Sequence, residues 1–173
     1  MKRVKRVLAL LAAFALVLAM AVPAWAEGNK GNITVQNAKE NEEYKIYRIF
    51  DLESYSENSY SYKMSEKWSK AGFATNSVFK EYFEIVNGYI KPKAEFTDEA
   101  AATFAKNALA FAKEKKIEDD GHQTAGKTGV SFSNLSLGYY LLDTSLGTLC
   151  SLDTTNPAAI LREKNDSPTI EKK

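Results

Sequence analysis

Short runs in which apolar and polar residues alternate recur along this chain, separated by glycine, asparagine, aspartate and serine. The first is Asn32-Ile33-Thr34-Val35-Gln36-Asn37. Side chains of a strand alternate between its faces, so this run predicts a strand with Ile33 and Val35 on one side. Tyr44-Lys45-Ile46-Tyr47-Arg48-Ile49-Phe50 is richer in apolar residues: positions 44, 46 and 50 share one parity, while Tyr47 and Ile49 take the other. A strand partly covered on both faces is predicted there. Ser59-Tyr60-Ser61-Tyr62-Lys63-Met64 alternates cleanly, as a half-exposed strand does. Val130-Ser131-Phe132, Gly138-Tyr139-Tyr140-Leu141-Leu142, Thr148 to Leu152 and Ala158-Ala159-Ile160-Leu161-Arg162 complete the strand-like runs.

Helical signals are fewer. Thr97 is a good N-cap, Asp98 and Glu99 suit the positive end of a helix dipole, and Lys113, Lys115 and Lys116 suit the negative end. Between them Ala101, Phe104, Ala105, Ala108, Phe111 and Ala112 form one apolar stripe. Glu66-Lys67-Trp68-Ser69-Lys70 reads as a short helix before a break at Gly72. Tyr82 to Lys91 reads as a hairpin turning on Asn87-Gly88, with a helix over 77–86 as the competing reading. Glu118 to Gly129 reads as a polar loop, and the tail from Glu163 to Lys173 as a linker. Many short strands and few helices predict a mainly β fold, a β-sandwich with one inserted amphipathic helix at about 97–116.

The amino end changes the picture. Lys2, Arg3, Lys5 and Arg6 precede an unbroken apolar stretch from Val7 to Val22, followed by Ala24-Trp25-Ala26. The stretch is shorter than the ~20 residues of a membrane-spanning helix, and a small-x-small cleavage site follows it, so residues 1–26 are expected to be a secretory leader cut between Ala26 and Glu27. Cleavage leaves 173 − 26 = 147 residues, with 23 − 4 = 19 Lys and Arg against 22 Asp and Glu. The mature chain is therefore slightly acidic and offers no basic surface for nucleic acid. With no second apolar segment of spanning length, no membrane attachment is expected after cleavage.

Three patterns invite a chemical reading. Gly121-His122-Gln123-Thr124-Ala125-Gly126-Lys127-Thr128 satisfies the P-loop formula letter for letter. That chemistry needs a strand before the loop and a helix after it, whereas here a helix precedes and a strand follows, so a solvated connection is expected. His122 is the single histidine and lies in that polar stretch with nothing local to orient its ring, which argues against a nucleophilic triad. Cys150 is the single cysteine, so no internal disulfide forms. It could join a Gln side chain, Gln36 or Gln123, as a thioester, but Leu149-Cys150-Ser151-Leu152 reads as a buried, inert thiol. No metal pattern, catalytic group or cofactor is expected.

Phe132-Ser133-Asn134-Leu135-Ser136-Leu137-Gly138-Tyr139-Tyr140-Leu141-Leu142 resembles the F-x-x-L-x-x-G-x-Y-x-[LV] strand pair of Ig-like pilin and collagen-adhesin B-type domains. Together with Ile33-Thr34-Val35, Tyr44 to Asp51, Thr144 to Leu149, Asp153 to Pro157 and the closing Glu163 to Lys173, the mature chain is similar throughout to the first domain of sortase-assembled fimbrial subunits. The resemblance implies an Ig-like domain at 27–163, then 164–173 as a linker and the start of a second domain, in a protein that would continue to a sorting signal.

Its implied function is a structural subunit of a cell-surface pilus, non-enzymatic, with sortase and neighbouring subunits as partners. The alternative is an Ig-like adhesin module whose tyrosines contact a host glycan or matrix protein. Such domains are often locked by a Lys–Asn amide beside a buried acid. Gln36 stands where the lysine is expected, so no internal amide is expected here. Lys172 or Lys173 resembles the first-strand lysine of the following domain. Pilin shaft domains carry a sortase-accepting lysine in a Y-P-K-N-like motif, and Glu163-Lys164-Asn165 resembles it, with Arg162 and Glu163 in place of Tyr and Pro; Lys164 is the implied acceptor.

Overall fold

A computed structural model describes residues 30–56, 59–143, 148–153 and 157–162. In chain order the described elements are β1 (Lys30–Gln36), β2 (Glu43–Ser56), β3 (Ser59–Met64), α1 (Glu66–Lys70), a 3-10 turn (Phe73–Thr75), α2 (Ser77–Tyr82), β4 (Phe83–Val86), β5 (Tyr89–Pro92), α3 (Asp98–Glu114), β6 (Gly121–Thr124), β7 (Val130–Ser136), β8 (Gly138–Leu142), β9 (Thr148–Leu152) and β10 (Ala158–Arg162). The molecule is mainly β, as the alternation predicts. One sheet has the order β10-β1-β7; a second has the order β3-β2-β8-β9, with β6 added beside β2; β4 and β5 form a separate two-stranded sheet.

The two larger sheets enclose one core, in which Ile33, Val35 and Phe132 of the first sheet meet Ile46, Tyr140 and Leu142 of the second. The second sheet is apolar on its other face too. There Tyr47, Ile49, Phe50 and Leu141 meet a helical layer that contributes Trp68, Phe73, Phe79, Phe104 and Phe111. Rings pack edge to face in this layer, Phe50 on Phe83 with centroids 5.3 Å apart and Trp68 on Phe73 at 4.8 Å. The expectation of one inserted helix is therefore widened: α1, the 3-10 turn, α2 and α3 together cover the sheet. A sheet with apolar residues on both sides needs such a second lid.

α3 begins where its capping signals place it. The Thr97 hydroxyl accepts from the Ala100 N–H at 3.2 Å, and the buried stripe runs through Phe104, Ala105, Ala108, Leu109, Phe111 and Ala112. Around residue 80 both competing readings are partly realised. Asn76 caps the short helix α2, and the hairpin β4–β5 follows, turning on Asn87 and Gly88 at φ 53° and 84°.

Phe50 departs from its expected parity. The register of β2 against β8 shifts between Arg48 and Phe50, so that Ile49 and Phe50 both serve the helical core instead of opposite faces. Gly138 is the residue that accommodates this bulge. A Cβ there would lie 2.2 Å from the Phe50 carbonyl oxygen, so only glycine lets the two strands close. Gly138→Ala is accordingly expected to cost more than about 2 kcal/mol in a urea unfolding titration, since backbone must move to relieve the overlap.

Candidate functional site

β2 pairs with β8 along one side, while β6 and β3 divide its other side between them. β6 takes Glu43 to Ile46 and β3 starts at Phe50. Arg48 falls in the gap, where no described strand reaches its outward backbone groups. Side chains satisfy them instead: Asp120 Oδ2 accepts from the Arg48 N–H at 2.6 Å, and the Ser65 hydroxyl donates to the Arg48 carbonyl at 2.7 Å. Lys67, at the start of α1, secures Asp120 from the far side. Its ammonium donates to Asp120 Oδ1 at 3.0 Å and to the carbonyls of Glu118 and Asp119 at 3.2 and 3.1 Å.

The Arg48 side chain turns to Asp51, with Nε 2.8 Å from Oδ1 in an ion pair that lacks hydrogen-bond alignment. Burial raises the Asp51 carboxyl above the ordinary carboxylate range; Arg48 opposes that shift, and Asp120 and Glu53 add to it. This polar network closes a gap in the sheet. Nothing local in the sequence marks it, because Arg48, Ser65, Lys67 and Asp120 meet only through the fold.

The P-loop formula falls on an unrelated structure. Residues 121–124 are strand β6, hydrogen-bonded to β2, and the expected polar loop thus contains a strand. Gly126 and Gly129 then exchange backbone hydrogen bonds across a tight turn at 3.1 and 3.2 Å, and the chain enters β7. Gly129 lies against the Val35 carbonyl, where a Cβ would approach to 2.2 Å, at φ 113°. The run thus passes from strand through turn to strand, without the helix N-terminus that phosphate binding requires. His122 differs from expectation in one respect: Asp119 does orient it, with Oδ1 3.0 Å from Nδ1. The pair lies on the exposed edge of the sheet.

Cys150 lies on β9 inside the sandwich core, and burial pushes its thiol up to about 12. Neither glutamine is free to face it as a thioester partner. Gln36, at the end of β1, accepts from Arg162 Nε at 3.1 Å, and Gln123 is exposed on β6. The Gln36–Arg162 contact engages the residue that stands where the resemblance expects a lysine. β10 runs parallel to β1 in a register from Asn32 opposite Ala158 to Gln36 opposite Arg162, so the contact joins the last residues of both strands. The other sequence-predicted positions, Ala26, Glu27, Lys164, Lys172 and Lys173, lie outside the described residues.

In the folded chain Cys150 is expected to react with iodoacetamide at pH 8 at least about 100-fold more slowly than in urea, because a thiol raised this far is almost wholly protonated. The sign of the linkage follows: with the folded thiol raised above the unfolded one, stability is intact below about pH 8 and falls as pH climbs toward the folded value. Rapid stoichiometric labelling of native protein would contradict the buried placement. No protein-family model matches this sequence, and comparison with curated proteins gives no match.

Proposed function

We propose that this chain is the first structural domain of a sortase-assembled surface fibre. In this reading it is exported by residues 1–26, folded as an Ig-like sandwich over 27–163, and joined to a neighbouring subunit through Lys164. It acts as a building unit and turns over no substrate. The observation that carries the reading is the seam between the first and last of the described strands. β10 is held beside β1 along its length, and the Gln36–Arg162 hydrogen bond ties its end two residues before Lys164.

A sortase must present its acyl group to an amine that is exposed yet held in place, and a pinned strand end supplies the hold. Near pH 7 an ordinary lysine is neutral in only about one molecule in a thousand, so the enzyme supplies the base. The lysine nitrogen attacks the acyl carbonyl and gives up its proton, the new amide bond forms, and the sortase nucleophile leaves. Gln36 and Arg162 also support the absence of an internal amide, because neither side chain is an amine able to condense in that way.

The tyrosines favour this reading over an adhesin module. Tyr44, Tyr47, Tyr62, Tyr82 and Tyr140 are buried, and Tyr60, Tyr89 and Tyr139 are partly covered. Among the described residues none stands out as an aromatic platform for a glycan.

In a reconstituted reaction with the cognate sortase, Lys164→Arg is expected to abolish covalent polymer on a denaturing gel, while Lys172→Arg and Lys173→Arg leave it intact. Polymer persisting in Lys164→Arg would assign the linkage elsewhere. Secreted chain is expected to begin at Glu27 and to have the full mass of its sequence; a deficit of one ammonia would reveal an internal amide or thioester.

A further inference from the structure

Three of the outer strands have neighbours beyond their hydrogen-bonded partners: β7 runs beside β6, β3 beside β5, and β9 beneath α3. β10 is different. Its parallel register and the bond from the Asn32 N–H to the Pro157 carbonyl, 2.7 Å, turn the backbone groups of residues 157, 159 and 161 toward β1. Those of Ala158, Ile160 and Arg162 point away, and among the described residues no strand pairs with them.

The side chains are as open as the backbone. Ile160 is 64 % exposed, more than any other large apolar residue described. Ala159 and Leu161, on the opposite face, pack against the sandwich core yet remain only partly buried, so that core is unfinished along this edge. Edge strands are ordinarily blunted by lysine, proline or a bulge, and β10 has none of these between its ends. Unpaired N–H and C=O groups in strand spacing fit one kind of partner, an extended backbone.

We propose that β10 is a pairing strand whose occupant is β10 of a second copy of this chain, antiparallel and centred on Ile160. In that register Ile160 faces its own counterpart, and Ala158 faces the partner's Arg162. These become the hydrogen-bonded pairs, and each outward N–H and C=O on both copies is satisfied. Side-chain volumes match as well. Small Ala158 lies across from long Arg162 on the solvent face, small Ala159 across from Leu161 on the core face, and the two Ile160 side chains stack at the axis. The only charged residue of the strand, Arg162, sits at opposite ends in the two copies, so like charges stay apart.

A general peptide would satisfy the backbone alone, whereas the strand's own inverse also satisfies the volumes. A five-residue pairing is smaller than the ~1,200 Å² of a stable interface, so the dimer is weak, with a dissociation constant on the order of 10⁻⁴ M. The inference stands independently of the fibre reading.

Sedimentation equilibrium of the purified secreted chain, from about 10 μM to about 1 mM, tests it. The expected result is a reversible monomer–dimer equilibrium, with the amides of Ala158, Ile160 and Arg162 gaining hydrogen-exchange protection as concentration rises. Ile160→Pro removes the central outward donor at a position that proline tolerates, and Ile160→Lys opposes two charges across the axis. Both are expected to remain monomeric with unchanged unfolding midpoints. If the proline disturbs the fold, the lysine variant decides. Monomer throughout the range, a dimer indifferent to Ile160→Lys, or capture of an unrelated extended peptide without self-association would each overturn the proposal.

Discussion

β2 must do two things that ordinarily compete: it is buried on both faces and it pairs with three other strands. Burial on both faces demands apolar residues at consecutive positions, which Ile46, Tyr47, Ile49 and Phe50 provide. Pairing with β6 and β3 on one side leaves a gap at Arg48, and unpaired backbone in a covered sheet is costly. Ser65, Asp120 and Lys67 answer that requirement on one side, and the bulge with Gly138 turns Phe50 to the helical core on the other. The sandwich, the helical layer and the polar network are therefore parts of a single solution to the burial of one long strand.

Much of the strand pattern was legible because alternation is local. β3 and β8 run where the residues alone place them, and α3 starts at its cap. What was not legible depends on partners distant in sequence. The parity of Phe50 failed because a bulge is a relation between β2 and β8, invisible in either run alone. β6 looked like loop because Gly121-His122-Gln123-Thr124 is exposed and polar, and its extended form comes from hydrogen bonds to β2 rather than from side-chain burial. The hairpin and the helix near residue 80 both had sound local signals, and the chain realises them in succession.

The candidate chemistry shows the same division. A P-loop formula specifies letters, but phosphate binding is specified by the convergence of N–H groups, and topology withholds that here. The carboxylates beside it are engaged with Arg48, Lys67 and His122. Cys150 was readable as inert from its apolar neighbours, since burial is what suppresses a thiol. The seam at Gln36 and Arg162 needed the fold, because nothing local pairs residues so far apart.

That separation, 126 positions between the two side chains, has a kinetic meaning. β1 is the first and β10 the last of the described strands to be synthesised, and each half of the seam must wait for the other. Until β10 arrives, β1 has only β7 to pair with, and the core it should close lies open on that flank. Contacts of such range are slow to form, because the intervening chain must be organised before the ends can meet. A domain emerging amino end first is thus committed to its final form only once β10 is free to pair, which makes its closing step a late one.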